Sequence, residues 1–587
     1  MTQPTESTPE DTRPAPPAPT VTAPAGTAAA ARVRNLSVAF GDRRHAVPTV
    51  HGVDLEIQPG ECLAIVGESG SGKSVTARSL IGLTGDNALV SADALEVGGV
   101  DQLANGPRQW RRVRGAEVGY VLQDALVSLD PLRPIGREID DALRLHTRLD
   151  RSQRRAKVLQ LLDDVGIPDP GQRLHQRSGE LSGGLRQRAL IATAIALDPP
   201  LLVADEPTTA LDATVQRQIL DLLARLKDQG TALLLISHDL AVVGDLADRI
   251  AVMQAGRIVE TGPSAEILAD PQHPYTRRLL RAVPTGRPRG TALSESPVAT
   301  SDRQHRLIAS RRGLEPVATD EAAATEPLLV GTGLRKAFRN PDRSERVAVD
   351  DVSFSLARGT TLGIVGESGS GKSTIARMAL GLTRPDAGTV RFRGQDWSAM
   401  TERERRPHRR RIASIYQDPL GSFDPQWSVE QVLADALIDG GALSGADRRD
   451  EVVQLLETVG LGADHLRRRP ARLSGGQRQR VAIARALASG PEVIVCDEPV
   501  SALDVSIQAQ VLDLLDELQR QFGLSYLFIS HDLGVVQHVS DEIVVMRQGR
   551  VVEAGRAHQV FARPSHPYTQ ALLDAAPRLS VSTGGAA

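Results

Sequence analysis

The chain has 587 residues, too many for a single hydrophobic core, so at least two domains are expected. Its 69 Lys and Arg residues nearly balance its 72 Asp and Glu residues, and bulk charge gives no reason to expect a nucleic-acid partner. The two cysteines, Cys62 and Cys496, exclude a disulfide framework and a cysteine-rich metal site. No apolar run reaches the roughly 18 residues that span a bilayer, so we expect a soluble protein of the cytosol.

The first functional pattern in chain order is a short apolar strand that leads into a glycine-rich loop and a helix. The glycines of such a loop let successive backbone N–H groups point at phosphates, and the helix N-terminus adds a favourable dipole. A lysine in this pattern reaches the β- and γ-phosphates, and the serine after it binds Mg²⁺. The loop consists of Gly67, Glu68, Ser69, Gly70, Ser71, Gly72, Lys73 and Ser74. It predicts a site for ATP with Mg²⁺.

A glutamine and an inserted helical region follow the loop. The amide of Gln123 can reach Mg²⁺ or the water that attacks ATP, and the segment after it can move with the nucleotide state. Charged and apolar residues alternate over 152–165, which predicts helices of an inserted subdomain. The sequence Leu-Ser-Gly-Gly, which contains Ser182, Gly183 and Gly184, ends this region.

Two further apolar strands, at 201–204 and 232–236, end in polar residues. An open parallel sheet binds its ligand at the carboxyl ends of its strands. Asp205 follows the first of these strands and is placed to hold Mg²⁺, directly or through water, and the adjacent Glu206 is a candidate for polarising the attacking water. His238 follows the second strand, and we expect it to contact the γ-phosphate.

All of these features occur a second time in the same order, including an inserted region with a helical stretch at 446–459. Repetition makes a chance glycine turn negligible and gives the lone Gln and His positions a shared role. The second set consists of Gly366, Glu367, Ser368, Gly369, Ser370, Gly371, Lys372, Ser373, Gln417, Ser474, Gly475, Gly476, Asp497, Glu498 and His531. The sequence therefore predicts an α/β protein with two tandem P-loop NTPase domains, each with an inserted helical subdomain.

The repeat also sets the predicted domain boundaries. Residues 1–31, rich in Pro, Ala and Thr, are expected to be a disordered tail and not a signal peptide. The nucleotide-binding domains are expected at 32–284 and 328–577, followed by a C-terminal tail at 578–587. Residues 285–327 are predicted to be a flexible linker, long enough to reach on the order of 35–40 Å.

Both halves resemble the nucleotide-binding domains of ABC transporters, and the resemblance covers nearly the whole chain outside the tails and the linker. In that family two such domains pair head to tail, and the Leu-Ser-Gly-Gly signature of one caps the ATP held by the other. The resemblance implies that the signature at 474–476 completes the first site and that at 182–184 completes the second. It also implies an adenine contact for Phe40 and Phe338, although a core aromatic at a strand end is an equal alternative.

The tails of the two halves resemble those of one group within the ABC transporter family. His273-Pro-Tyr-Thr276 and His566-Pro-Tyr-Thr569, together with a Gln-Asp-x-x-x-Ser-x-Asp-Pro segment in each half, are similar to the dipeptide/oligopeptide/nickel importer ATPases. The chain resembles a fusion of that group's two ATPase subunits. Leu185 replaces the fifth-position Gln of the first signature, but the serine and glycines remain, so we expect the second site to be active.

The same resemblance implies partners, location and cofactors. We expect two integral-membrane permease subunits, an extracytoplasmic solute-binding protein, and a peripheral place on the cytoplasmic face of the inner membrane. ATP and Mg²⁺ are the implied cofactors. Some family members carry an iron–sulfur cluster after the first tail, but 277–327 contains no cysteine, so none is expected here. Peptides are the leading cargo, with nickel, glutathione and other small solutes open.

Two alternatives use the same cassettes. A twin-cassette ATPase acting on ribosomes also lacks a membrane span, but it carries a long, charged, helical arm between cassettes, and the linker here shows no helical pattern. A DNA-repair ATPase would need long heptad arms and zinc-type cysteine clusters, which are missing. The arginine-dense run at 403–411 is interpreted as a solvated or membrane-proximal face and not as a nucleic-acid site.

Overall fold

The computed structural model of the chain describes residues 29–42, 45–123, 128–209, 211–295, 327–339, 343–437, 445–501 and 503–577. These residues form two cassettes with nearly the same element order, each built from an antiparallel β-subdomain, a six-stranded core sheet and a group of inserted helices. The tail predicted for 1–31, except its last three residues, and the tail predicted for 578–587 lie outside the described residues.

The first cassette begins with strand β1 and ends with helix α10. Its strands are β1 (Ala31–Phe40), β2 (Val47–Ile57), β3 (Cys62–Val66), β4 (Ala88–Ser91), β5 (Ala94–Val97), β6 (Val100–Asp101), β7 (Val118–Val121), β8 (Leu201–Asp205), β9 (Ala232–Ser237), β10 (Arg249–Gln254) and β11 (Arg257–Pro263). Its helices are α1 (Lys73–Ser79), α2 (Pro107–Val113), α3 (Ile135–His146), α4 (Arg151–Asp164), α5 (Pro170–Arg173), α6 (Gly183–Ala194), α7 (Ala213–Asp228), α8 (Leu240–Leu246), α9 (Ser264–Ala269) and α10 (Pro274–Arg281).

The second cassette follows the same order with two exceptions. Its strands are β12 (Pro327–Arg339), β13 (Glu345–Ala357), β14 (Thr361–Gly366), β15 (Ala387–Phe392), β16 (Gln395–Asp396), β17 (Ile412–Ile415), β18 (Val493–Asp497), β19 (Ser525–Ile529), β20 (Glu542–Arg547) and β21 (Arg550–Arg556). Its helices are α11 (Lys372–Ala379), α12 (Glu402–Arg405), α13 (Val429–Ala436), α14 (Gly445–Thr458), α15 (Gly475–Ala488), α16 (Val505–Phe522), α17 (Leu533–Val539), α18 (Ala557–Ala562) and α19 (Pro567–Ala575). Among the described residues, β15 stands in place of β4 and β5, and no α-helix corresponds to α5. Short 3₁₀ turns lie at Ser178–Glu180, Arg409–Arg411, Leu420–Ser422, Ala463–His465 and Pro470–Arg472.

The core sheets bring the predicted site residues to one edge. The strand order is β11-β10-β3-β9-β8-β7 in the first cassette and β17-β18-β19-β14-β20-β21 in the second. In the first sheet the five strands from β10 to β7 are parallel and only β11 is antiparallel. Strand β3 is buried along its whole length, as expected for an apolar strand covered on both faces. The carboxyl ends of β3, β8 and β9 therefore lie side by side.

Inserted helices occur where the alternating pattern predicts them. Helix α4 covers most of the predicted stretch 152–165, and α14 covers most of 446–459. Asp150 precedes helix α4 and caps its N-terminus: its Oδ1 accepts hydrogen bonds from the backbone N–H groups of Ser152 and Gln153 at 2.7 and 2.9 Å. Such a side-chain cap satisfies N–H groups that have no partner within the helix.

The first residues of the predicted linker are docked on the second cassette. The side chain of Leu293 is fully buried in the second cassette's core. The backbone N–H groups of Leu293 and Ser294 donate to the Asp513 carboxylate of α16 at 3.0 and 2.8 Å, and Arg289 forms an ion pair with Asp541. One apolar side chain and one buried carboxylate thus fix a segment whose polar composition predicts a flexible coil. Residues 296–326 of the linker lie outside the described part of the chain.

Candidate nucleotide-binding sites

Each glycine-rich loop connects a core strand to a helix, as the sequence predicts. Lys73 is only 5% exposed, and its Nζ donates to the carbonyl oxygens of Gly67 and Glu68 at 2.7 and 2.8 Å. Burial lowers the pKa of Lys73. Lys372 makes the same two bonds in the second loop and its pKa is lowered for the same reason.

The loops also contain polar atoms without a partner. Ser71 Oγ and Ser370 Oγ are buried and make no hydrogen bond within the described parts of the chain. An unpaired buried hydroxyl is costly, and here it lies in a loop that also presents backbone N–H groups and a buried ammonium group. This donor set fits the phosphates of a nucleotide.

The residues predicted to bind Mg²⁺ meet at the base of each loop. Ser74 Oγ donates to Asp205 Oδ1 at 2.9 Å, and Ser373 Oγ donates to Asp497 Oδ1 at 3.2 Å. Hydroxyl and carboxylate oxygens suit a hard cation that keeps several waters and takes the rest of its ligands from phosphates. Within the described ranges, no group of three or more His, Cys, Asp or Glu side chains could hold a metal by itself.

A glutamate is the centre of each site. Gln123 Nε2 donates to Glu206 Oε2 at 2.9 Å, and His238 Nδ1 lies 3.2 Å from Glu206 Oε1. The second site repeats both contacts: Gln417 Nε2 donates to Glu498 at 3.0 Å and His531 lies 3.2 Å from it. In each site, a glutamine and a histidine that are far apart in the sequence thus contact the carboxylate of the same glutamate.

The electrostatics keep these glutamates ionised. Burial raises the pKa of Glu206, but the hydrogen bond and charge of His238 outweigh burial and leave the pKa below its usual value. Burial lowers the pKa of His238, but the contact with Glu206 outweighs it and the net shift is upward. Glu498 and His531 show the same opposite shifts. Both glutamates also have a φ of 51°, a left-handed conformation that is uncommon for residues other than glycine.

Contacts between the cassettes join each loop to the opposite half. Thr214 Oγ1, in the first turn of α7, donates to Glu367 Oε1 of the second loop at 3.0 Å, and the Ser368 N–H donates to Asp212 Oδ2 at 3.3 Å. At the equivalent position of the second cassette, Ser506 Oγ of α16 donates to Glu68 Oε1 of the first loop at 2.5 Å. A cavity of about 390 Å³ lies between the halves and is lined by both site histidines. The sequence analysis did not single out Asp212, Thr214 or Ser506, although Ala-Leu-Asp occurs at the same place in both halves.

The two signatures cap their own helices. Ser182 Oγ accepts from the N–H of Leu185 at 3.4 Å, and Ser474 Oγ accepts from the N–H of Gln477 at 3.3 Å. Gln477 Oε1 also accepts from the Ser474 N–H at 3.1 Å, a bond that Leu185 lacks the polar group to make. No direct hydrogen bond joins either signature serine to the opposite loop in the described ranges.

The two aromatic residues implied for adenine differ in their surroundings. Phe338 is 40% exposed, and Lys336 Nζ lies 5.8 Å from its ring centre. Phe40 is half-buried and packs against the core of the first β-subdomain. The exposed ring of Phe338 is free to stack on a base, whereas Phe40 already has core neighbours.

One contact distinguishes the first site from the second. Tyr120 of β7 donates its hydroxyl to Asp205 Oδ2 at 2.8 Å, and Arg78 lies 4.0 Å from the same oxygen. Tyr120 pairs with Val203, two residues before Asp205. At the matching position of the second cassette, β17 carries Ser414, paired with Val495. Oδ2 of Asp205 is therefore held by the protein, and Oδ1 faces the loop serine.

We expect Tyr120→Phe to raise the Mg²⁺ concentration needed for half-maximal ATP hydrolysis about three- to tenfold, since the released Oδ2 loses a hydrogen bond that orients the carboxylate. ATP binding without Mg²⁺ should not change, because the loop contacts are untouched. The matched control is Ser414→Ala at the equivalent position of the second site. If the two variants shifted the required Mg²⁺ concentration equally, or if neither shifted it, the conclusion that Tyr120 orients the Asp205 carboxylate would be contradicted.

Comparisons with known proteins identify the family of the chain. The ABC transporter family model matches residues 50–209 and 349–501, and the model for the C-terminal region of oligopeptide/dipeptide transporters matches 259–306 and 552–585. A peptidoglycan transport ATP-binding protein of Agrobacterium fabrum is 43% identical over 93% of this chain and 96% of its own length. A glutathione import ATP-binding protein of Escherichia coli K12 is 41% identical over 93% of this chain and 89% of its own.

A solved structure of an archaeal ribosome recycling factor matches with a TM-score of 0.56 and 20% identity, over 88% of this chain and 90% of that one. At this identity the likeness shows the fold alone. The prediction of two tandem P-loop domains is confirmed, and so is the resemblance to the peptide importer ATPases. The chain belongs to the ABC transporter family of ATP-binding proteins and carries the C-terminal region of the oligopeptide/dipeptide transporters at the end of each of its two cassettes.

Proposed function

We propose that the chain binds and hydrolyses ATP at two composite sites and thereby drives the import of peptides or similar small solutes through separate permease subunits. The observation that carries this proposal is the repeated convergence of a phosphate-binding loop, a Ser–Asp pair and a Gln–Glu–His cluster, with each loop in contact with the opposite cassette. The relatives of the chain are named for the transport of peptidoglycan, which contains short peptides, and for the import of glutathione, which is a tripeptide.

The proposed roles follow from the contacts. Lys73 and the loop N–H groups bind the phosphates, and Ser74, Gln123 and Asp205 hold Mg²⁺, which neutralises phosphate charge. Glu206 is ionised, so it can accept a proton from the attacking water. The second site assigns the same roles to Lys372, Ser373, Gln417, Asp497 and Glu498.

The histidines and signatures complete the assignment. His238 and His531 are held by the site glutamates and can donate to a γ-phosphate. We assign Ser182, Gly183 and Gly184 to the ATP of the second loop and Ser474, Gly475 and Gly476 to that of the first. ATP between loop and signature would then close the two halves on each other. Mg²⁺ and ATP are the only cofactors we assign, and no iron–sulfur cluster is included.

The partners are proposed from the family. Among the described residues no helix is long and apolar enough to cross a membrane. Importers of this family place permease subunits in the membrane, and we assign to this chain a peripheral position on the cytoplasmic face, held by two permeases that receive solute from an extracytoplasmic binding protein. The ribosomal alternative has only the shared fold in its favour, whereas the C-terminal match is specific to oligopeptide/dipeptide transporters.

The location can be tested by fractionation. When the chain is co-expressed with its permease subunits, we expect it to move into the membrane fraction and to be released by a carbonate wash, since it would be held by protein contacts alone. Expression without the permeases is the control. Membrane attachment that survives carbonate in that control would contradict the proposal, and cosedimentation with ribosomes in either case would favour the alternative.

A further inference from the structure

The His-Pro-Tyr-Thr motifs of the two halves lie between the cassettes, in contact with the nucleotide loops. Each motif starts a helix, α10 or α19, and its histidine Nδ1 accepts a hydrogen bond from the tyrosine N–H, at 3.2 Å for His273 and 3.1 Å for His566. Each helix packs against a long helix of the opposite cassette, α10 on α16 and α19 on α7. The motif is therefore both a helix start and part of the interface.

A carboxylate on the preceding strand fixes the motif in place. Glu260 of β11 accepts the backbone N–H groups of Gln272 and His273 at 2.7 and 3.1 Å. Glu553 of β21 does the same for Ser565 and His566, at 2.7 and 3.2 Å. Because β11 and β21 belong to the core sheets, the motif's position is set by the same sheet that carries the loop.

The tyrosine reaches the loop itself. The Glu68 N–H donates to the Tyr275 hydroxyl oxygen at 3.0 Å, and the Glu367 N–H donates to that of Tyr568 at 3.3 Å. Tyr275 is 3% exposed and Tyr568 is 7% exposed. Burial raises the pKa of each phenol to about 12, so both are neutral.

The same glutamate bridges to the other half. Glu68 accepts Ser506 Oγ of α16, and Glu367 accepts Thr214 Oγ1 of α7. A continuous path thus runs from the core strand through the motif and its tyrosine to the second residue of the loop, and from that residue's side chain to the opposite cassette.

We propose that the tyrosine of each His-Pro-Tyr-Thr motif is a positioning residue that sets the glutamate of its own phosphate-binding loop for contact with the opposite cassette, and so favours the closed, ATP-bound pair. This inference rests on the proposed ATPase function and gives the motif a role in it. The surface that each positioned glutamate contacts belongs to the opposite half of the same chain. It is the first turn of α16 for Glu68 and the first turn of α7 for Glu367.

The test places one spin label on each cassette and measures the distance between the two labels as the ATP concentration is raised. A shorter distance reports closure of the cassettes. The parent chain carries Glu206→Gln and Glu498→Gln so that bound ATP is retained. Adding Tyr275→Phe should raise the ATP concentration for half-closure about tenfold, because the partly exposed Glu68 N–H loses the hydroxyl oxygen that holds it in position. Thermal unfolding without nucleotide should be nearly unchanged, since phenylalanine keeps the ring. A large drop in unfolding temperature would make the tyrosine merely structural and overturn the inference.

A pair of double variants gives the sharper readout. Tyr275→Phe combined with Ser506→Ala should shift half-closure little more than Tyr275→Phe alone, because both act through Glu68. Tyr568→Phe combined with Ser506→Ala is the matched control and should be additive, since Tyr568 acts through Glu367. Additivity in both pairs, or no shift from Tyr275→Phe, overturns the inference. Hydrolysis by the unmodified chain is measured alongside, and its absence would instead refute the ATPase function.

Discussion

Glu206→Gln and Glu498→Gln are each expected to lose well over half of the total ATP turnover of the chain. The substitution keeps the shape of the side chain but removes the carboxylate that takes the proton from water. Each loop is joined to the opposite cassette, through Glu68 with Ser506 and Glu367 with Thr214. One ATP that is not hydrolysed therefore holds the shared interface closed and stops the other site as well.

Steady-state phosphate release by both single variants is the measurement, with ATP binding followed in parallel. Binding should persist, because the bonds that Lys73 and Lys372 make within the loops do not involve Glu206 or Glu498. Glu404→Gln, at an exposed position of α12, serves as a control for the loss of a carboxylate elsewhere. If either variant kept half of the rate or more, the sites would be independent or unequal, and the coupled mechanism would be wrong.

The sequence predicts the fold and the contents of each site because those depend on local patterns. An apolar strand followed by glycines and Lys-Ser specifies a strand, a loop and a helix start in one short segment. The convergence of Gln123, Glu206 and His238 is also predictable, since each follows or ends a core strand and parallel strands share one carboxyl edge.

Contacts that cross between elements are not encoded in this way. The bond from Tyr120 to Asp205 depends on which residue of β7 lies beside β8, and a tyrosine inside a strand reads as an ordinary β-former. The contacts of Tyr275 and Ser506 with Glu68 depend on the packing of one cassette on the other. Composition also misses the docking of 285–295, because Leu293 is the single large apolar residue in a polar stretch.

The largest effect on binding is expected from Gly67→Ala and its counterpart Gly366→Ala. A Cβ at Gly67 would lie 2.2 Å from the carbonyl oxygen of Met253, and one at Gly366 would lie 2.2 Å from that of Met546. Both carbonyls belong to core strands whose methionines are fully buried, so the backbone there cannot give way without disturbing the sheet. The first residue of the loop would have to move instead, and the N–H groups that face the phosphates would move with it.

Each variant should bind ATP at least tenfold more weakly at its own site, so that one ATP and not two is bound per chain at concentrations that saturate the parent. Equilibrium binding of ATP to the intact chain measures this stoichiometry. The matched control is Gly230→Ala in the turn before β9, where φ is +100° and no atom lies within 4 Å of the added Cβ. That variant carries the strain of an alanine at positive φ, about 1–2 kcal/mol, without the collision, and should still bind two ATP. A Gly67→Ala chain that binds like the control would show that the loop is not held against β10.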